Sequence, residues 1–383
     1  MPEDWEHGGF GLYIHWPFCQ AKCPYCDFNS HVVAKIDQTA WRDAYLSEID
    51  RIGAETQGRI LKSVFFGGGT PSMMDPDLVD AVLTKVRATW SMANDIEITL
   101  EANPTSVEAG RFAGYRDAGV NRVSMGIQAL NDKDLRALGR LHTAQEALTA
   151  FNTARETFDR VSFDLIYARQ GQNLADWRAE LTQALGLAID HLSLYQLTIE
   201  DGTAFGDRYA AGKLRGLPDD DLAADMYALT QDICAAASFD SYEVSNHARP
   251  GFESVHNQIY WRYGDYAGIG PGAHGRLTLG GNRYATEAPS APTQWLAQVR
   301  KTGNGDSLRS KLSTEDQRSE LLLMGMRLRE GVLVERIGIS KNIKHNINNL
   351  TDMGMVKTHA DRLVLTAKGR PILNAVLREL LAD

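Results

Sequence analysis

The stretch Phe18-Cys-Gln-Ala-Lys-Cys-Pro-Tyr-Cys-Asp-Phe28 holds three of the chain's four cysteines, with the spacing Cys19-x3-Cys23-x2-Cys26. Cysteines clustered this closely do not fit a disulfide framework in a reducing compartment, so they indicate metal binding. A [4Fe–4S] cluster usually takes four thiolates, and a set of three leaves one iron open for another ligand. Zinc with His15 or His31 as the fourth ligand is the alternative, although zinc sites favour paired Cys-x2-Cys spacings.

The cysteines follow the first of six short β-rich segments that alternate with segments of helical length. The predicted strands are Leu12–Trp16, Ser63–Phe66, Glu97–Glu101, Arg122–Ile127, Val161–Ile166 and His191–Leu197, and the helices between them include Thr39–Glu55, Pro76–Thr89 and Leu174–Ala188. This alternation is typical of βα units that build a parallel sheet, so the fold class is α/β. Six units with right-handed crossovers favour a partial (β/α)6 barrel over a doubly wound sheet.

The alternation of strands and helices stops after residue 200. A glycine-rich stretch, Gly268-Ile-Gly-Pro-Gly-Ala-His-Gly275, and many aromatic residues between Tyr242 and Tyr266 predict an insertion or lid. Beyond residue 310 the order of elements resembles a small winged-helix α+β module, with helices at Thr314–Arg329 and around Ile343–Asp352, the segment Val334–Ile337, and a hairpin of Met355–Thr358 with Arg362–Leu365. The predicted units are therefore a barrel over 1–200, an extension over 201–310 and the C-terminal module over 311–383.

Composition narrows the classes of function. The net charge of −9 argues against a general nucleic-acid binder, because neutralising phosphates requires a basic surface. No run of apolar residues is long enough to span a bilayer. The acidic start, Met-Pro-Glu-Asp-Trp-Glu-His, lacks the basic and apolar parts of a secretory signal, so the chain is predicted to be cytoplasmic.

Polar residues and glycines interrupt the apolar strands where these strands end. Gly67-Gly-Gly-Thr-Pro71 follows the second strand, Glu101 ends the third, Gln128 follows the fourth, and Asp164 lies in the fifth. Each of these could be a core residue with a backbone partner. Together they fall towards the carboxyl ends of successive strands, which is the face where barrel proteins place their sites.

These motifs resemble the radical S-adenosylmethionine superfamily, in which Cys-x3-Cys-x2-Cys follows the first strand. The resemblance implies that Cys19, Cys23 and Cys26 hold a [4Fe–4S] cluster, whose open iron binds the methionine amino and carboxylate groups of S-adenosylmethionine. It extends from residue 11 to the C-terminus for the coproporphyrinogen-III-oxidase-like branch. The nucleotide contacts that this branch implies are Tyr13, Tyr25, Gly68, Gly69, Thr70, Glu101, Gln128, Arg140 and Asp164, with Thr198 as a weaker transfer.

The branch contains oxygen-independent coproporphyrinogen III oxidases, which decarboxylate propionate side chains, and a haem-chaperone subgroup of the HemW type. The oxidases carry a further cysteine two residues after the third, where this chain has Phe28, and a longer N-terminal segment. The continuation Asp27-Phe-Asn-Ser30 resembles the chaperone subgroup. The resemblance therefore implies a haem chaperone, with the oxidase as the alternative, and leaves open whether the chain is an enzyme.

A second motif, His256-Asn-Gln-Ile-Tyr-Trp261, also resembles that subgroup. Imidazole is a common haem ligand, so the resemblance implies haem as cargo with His256 as a candidate ligand. The alternative is a histidine with only local hydrogen bonds, beside aromatic rings packed in a core. The implied partner is a haem-acceptor protein, which the sequence does not identify and which could be membrane-associated.

Overall fold

The computed structural model describes residues 3–33, 35–338 and 340–382. Its strands in chain order are β1 Phe10–Trp16, β2 Phe18–Cys19, β3 His31–Val32, β4 Ile60–Gly68, β5 Ser91–Ala102, β6 Arg122–Gln128, β7 Arg160–Tyr167, β8 His191–Gln196, β9 Asp240–Ser241, β10 Asn246–Ala248, β11 Asp265–Ile269, β12 His274–Leu279, β13 Asn282–Glu287, β14 Leu308–Lys311, β15 Val332–Leu333, β16 Val356–His359 and β17 Arg362–Leu365.

The α-helices in chain order are α1 Gln38–Glu55, α2 Pro76–Thr89, α3 Ser106–Ala109, α4 Phe112–Ala118, α5 Asp132–Ala137, α6 Ala144–Thr157, α7 Leu174–Leu187, α8 Ala204–Ala210, α9 Asp220–Ala236, α10 Val255–Trp261, α11 Pro292–Thr302, α12 Thr314–Gly325, α13 Val334–Ile337, α14 Lys341–Asp352 and α15 Leu373–Leu380. Short 3-10 helices lie at Asp4–His7, Pro71–Met73 and Arg370–Ile372. No helix in these ranges is long and apolar enough to cross a membrane.

The six predicted strands correspond to β1 and β4 to β8, which pair in parallel in that order. Side chains alternate along each strand, so one set faces the surrounding helices and the other faces the inside of the curled sheet. The helix-facing set is apolar, as with Leu100, Val123 and Phe163, which are fully buried. The opposite set is largely polar. The predicted partial (β/α)6 barrel is confirmed.

The expectation that residues 201–310 form an insertion or lid is wrong for the strands β11 to β14, which belong to the main sheet. Strand β11 pairs in parallel with β1, and β12 to β14 extend the sheet by antiparallel pairing. The glycines that suggested a lid instead allow close backbone approach. Gly270 has a φ of +119°, and a side chain there would meet the backbone of His15. The division of the chain at residues 200 and 310 stays a prediction.

The C-terminal module has a three-stranded sheet in the order β15-β17-β16, as the predicted hairpin requires. It has its own apolar core, which includes Leu322, Leu363 and Leu377. One detail differs from the sequence prediction, because the first helix ends at Gly325 rather than Arg329. The segment Val334–Ile337 is a short helix, followed by Gly338 in the left-handed conformation.

Asp265 at the start of β11 generates a prediction about stability. Its fully buried carboxylate pairs with Arg59 at 2.7 Å and with Arg283 at 3.4 Å. Asp265→Ala leaves both guanidinium groups without this partner, and we expect it to lower the free energy of unfolding by about 3–5 kcal/mol. Asp43→Ala, which removes an exposed pair with Arg42, is the control and should cost about 1 kcal/mol or less. Equal urea midpoints for the two variants would contradict this role.

Candidate cofactor site

A cavity lies at the carboxyl ends of the parallel strands, beneath the loop that carries the three cysteines. It encloses about 990 Å³, part of it open to solvent. Most of the predicted site residues lie on its wall, namely Cys19, Cys23, Tyr25, Cys26, Gly68, Gly69, Thr70, Glu101, Gln128, Arg140 and Asp164. The fold thus gathers residues from six segments of the chain around one space, and their individual contacts with a nucleotide stay a prediction.

The glycine turn after β4 packs directly on the cysteine loop. The backbone N–H of Gly69 donates to the carbonyl of Trp16 at 2.7 Å, and that of Thr70 donates to the carbonyl of Phe18 at 2.8 Å. A Cβ on Gly69 would come within 2.6 Å of the Phe18 oxygen, and Gly68 has a φ of +111°. Only glycine allows this close approach and this backbone conformation.

Two side chains donate hydrogen bonds to the cysteine sulfurs. Thr70 Oγ1 lies 3.4 Å from Cys19 Sγ, and Arg140 Nη1 lies 3.4 Å from Cys23 Sγ. Arg140 is held by Asn103 Oδ1 at 2.8 Å and by the Gly126 carbonyl at 2.7 Å. Donors to sulfur and a fixed cation stabilise thiolates and tune an iron–sulfur cluster, so these residues fit the predicted [4Fe–4S] group.

Both histidines of the zinc alternative have hydrogen-bond partners in the protein. Both ring nitrogens of His15 already have partners, the Tyr13 hydroxyl and the Asn29 carbonyl, each at 3.0 Å. His31 Nε2 lies 3.1 Å from Asn29 Oδ1. Within the described ranges, no three His, Cys, Asp or Glu side chains are spaced to hold a single metal ion. In a cubane cluster the three cysteines bind three different irons, so such spacing is not required there.

Two carboxylic acids lie deep in the cavity. Burial and the neighbouring Asp164 raise the pKa of Glu101 to about 8, although the Gly68 N–H donates to its carboxylate at 3.2 Å. Burial likewise raises the pKa of Asp164 to about 6, against the effect of a hydrogen bond from Ser193. Like charges in a desolvated site resist ionising together, which favours the protonated form of Glu101 near neutral pH.

Asn103 is a site residue that the sequence prediction missed. Its amide donates to Thr70 Oγ1 at 3.2 Å and accepts from Arg140, so it links the two donors to the sulfurs. Its own backbone N–H donates to the buried Glu108 carboxylate at 2.8 Å. The available signal was its position, two residues after Glu101 at the end of a strand.

Three predicted residues lie away from the cavity wall, namely Tyr13, Thr198 and His256. The Tyr13 ring lies beside Phe65 and His256, with centroids 6.2 and 6.0 Å away. Thr198 is exposed in the loop after β8. Neither Tyr13 nor Thr198 lines the cavity as the structure describes it, so their contacts with the nucleotide stay a prediction.

His256 lies near the amino ends of the strands, because its backbone N–H donates to Glu97 at the amino-terminal side of the barrel at 3.2 Å. The imidazole centroid is 4.1 Å from that of Phe65, with the rings nearly parallel, and 4.6 Å from that of Tyr260. Burial and the nearby Arg122 lower the pKa of His256 to about 3. The ring is neutral, as a haem ligand must be, but it is enclosed, so ligation would require α10 to move and stays a prediction.

The chain matches the Radical SAM superfamily over residues 13–183 and the HemN C-terminal domain over residues 312–372. Among solved structures, the radical SAM coproporphyrinogen III oxidase HemN of Escherichia coli is similar with a TM-score of 0.81 and 22% identity, over 98% of this chain and 90% of that one. The fold and the cysteine cavity together define a radical S-adenosylmethionine protein.

Curated relatives match along nearly the whole length. The "Heme chaperone HemW" of Escherichia coli (strain K12) is 37% identical over 97% of this chain and 98% of its own. The mitochondrial "Radical S-adenosyl methionine domain-containing protein 1" of Bos taurus is 38% identical over 97% of this chain and 87% of its own. The chain belongs to the HemW family of radical S-adenosylmethionine proteins, and this membership implies a [4Fe–4S] cluster and S-adenosylmethionine.

The cysteine assignment predicts a specific loss. Cys23→Ala removes one thiolate and should abolish a stable cluster after anaerobic reconstitution, measured as protein-bound iron and acid-labile sulfide. Cys234→Ala is the control, because that thiol is fully buried in α9, away from the cavity. The Cys234→Ala protein should bind as much iron as the wild type does. Full iron in the Cys23→Ala protein, or zinc in the wild type in place of iron, would refute the assignment.

The raised pKa of Glu101 predicts how the stability of the cluster-free chain depends on pH. Between its usual pKa of 4.5 and the folded value of about 8, the folded chain keeps a proton that the unfolded chain has released. Stability therefore falls as pH rises through this window. Glu101→Gln should flatten the fall, measured by urea unfolding from pH 5 to pH 8. Asp80→Asn, at an exposed position in α2, should leave it unchanged, and identical slopes for both variants would contradict the assignment.

Proposed function

We propose that this protein is a haem chaperone, which binds haem and passes it to an acceptor protein while carrying a [4Fe–4S] cluster and an exchangeable S-adenosylmethionine. The observation that carries this proposal is the similarity to heme chaperones along almost the full length of both chains. The acceptor is not identified, and a membrane-associated acceptor is compatible with the proposal.

The second residue after the cysteine motif, Phe28, supports a carrier over an oxidase. The oxidase pattern requires a cysteine where this chain has Phe28, and a phenyl ring offers no sulfur ligand. Phe28 is 58% exposed and lies on the cavity wall, so it gives the site an apolar surface at this position. Similarity to the oxidase at 22% identity concerns the fold alone.

The residues of the cavity have separable roles in this proposal. Cys19, Cys23 and Cys26 hold the cluster, which when bound supplies an electron and a binding site for the methionine end of the nucleotide. Arg140 keeps a positive charge beside Cys23. The Glu101 and Asp164 carboxyl groups lie where they can accept from or donate to ribose hydroxyls, and their raised pKa values let either group keep a proton.

The test combines binding, transfer and turnover in the reconstituted full chain. We expect saturable haem binding, seen in the Soret band, and loss of that haem to an apo-haem protein on mixing. Anaerobic incubation with coproporphyrinogen III, reductant and S-adenosylmethionine should give no decarboxylated product. Turnover to that product would overturn the carrier proposal in favour of the oxidase.

The same titration tests His256. If its imidazole ligates the iron after α10 moves, His256→Ala weakens haem binding and shifts the Soret maximum. His247→Ala is the control, since that ring is also buried and has a pKa lowered to about 4 by burial. Equal effects of the two substitutions would exclude His256 as the ligand.

A further inference from the structure

Two large apolar side chains are exposed at the mouth of the cofactor cavity. Phe28 is 58% exposed and Leu141 is 66% exposed, and both lie on the cavity wall. By contrast, barrel-strand residues such as Leu100 and Phe163 are fully buried. Neighbouring apolar side chains that remain exposed around a concave site commonly mark a binding surface. We call Phe28, Leu141 and Lys22, which line the same cavity, the cavity rim.

The rim joins two loops that are far apart in sequence but fixed to each other. Leu141 follows Gly139 and Arg140 in the loop between α5 and α6. A Cβ on Gly139 would come within 2.6 Å of Pro24 Cδ, and Arg140 donates to Cys23 in the cysteine loop. Because these contacts hold the loops together, the apolar surface is formed in advance, and a ligand need not order it.

Lys22 gives the rim a positive charge. Its side chain is exposed on the same wall, and it has no ion-pair or hydrogen-bond partner within residues 3–33, 35–338 and 340–382. The whole chain carries a net charge of −9, so a free cation beside exposed apolar groups favours a ligand with an apolar body and an acidic edge. Haem has this chemistry, with a flat apolar macrocycle and two propionates.

We propose that haem rests on the cavity rim, with its ring against Phe28 and Leu141 and a propionate at Lys22. The inference depends on the proposed haem-chaperone function and deepens it by naming the surface that receives the cargo. This surface is open in the structure, whereas His256 is enclosed at the other end of the strands. The contact is made by the face of the ring, so it does not require a ligand to the iron.

The test uses the full chain with its cluster and two independent changes to the rim. The double variant Phe28→Ser with Leu141→Ser removes the apolar contact, and we expect the Kd for haem to rise about tenfold or more. Lys22→Glu should also raise the Kd, while Lys22→Arg should restore it. The matched control is Met353→Ser in the C-terminal module, because Met353 is 57% exposed and far along the chain. Iron content and the urea midpoint report whether each variant is folded.

Metal-free protoporphyrin IX serves as the second probe. Binding by the ring face predicts that the rim variants weaken protoporphyrin and haem alike. If folded rim variants bind haem as tightly as the Met353→Ser protein does, the inference is wrong, while the chaperone function stands. If they bind haem normally but fail to transfer it, the rim is a docking surface for the acceptor, which also overturns the inference. A wild-type chain that binds no haem refutes the proposed function itself.

Discussion

The alternation of side chains along the parallel strands is the constraint on which this structure depends. Residues such as Leu100 and Phe163 bury their apolar side chains against the outer helices, and this burial supplies the main driving force for folding. Their neighbours in sequence must then face inward, where Ser124 and Ser162 hydrogen-bond to each other at 3.0 Å. The same pattern that builds the core therefore lines the inside of the sheet with polar groups.

The inward polar groups form one cofactor site only because the sheet curls and brings the strand ends together. Glycine at positions 68 and 69 lets the turn after β4 touch the cysteine loop, and Arg140 reaches across to Cys23 from the loop before α6. Burial then changes the acid–base behaviour of Glu101 and Asp164, because the desolvated carboxylates lie close to one another. The chemistry of the cavity is thus a property of the assembled barrel.

The two ends of the strands differ in character. At the carboxyl ends the cavity is open, and its rim presents Phe28 and Leu141 to solvent. At the amino ends α10 is held by Glu97, and the His256 ring is packed against Phe65. A carrier must admit and release its cargo, and an exposed, preformed surface does so without opening a packed core.

The sequence by itself determined the elements and chemistry that depend on local order: the cysteine spacing, the six strands of the barrel and the polar residues at their ends. These follow from short-range periodicity and from residue type, which a single segment carries. Only the tertiary structure decided that β11 joins the sheet beside β1, that Asn103 links Thr70 to Arg140, that His256 is enclosed, and that Phe28 and Leu141 line the same cavity. Each of these depends on pairing between segments distant in the chain, which local patterns do not specify.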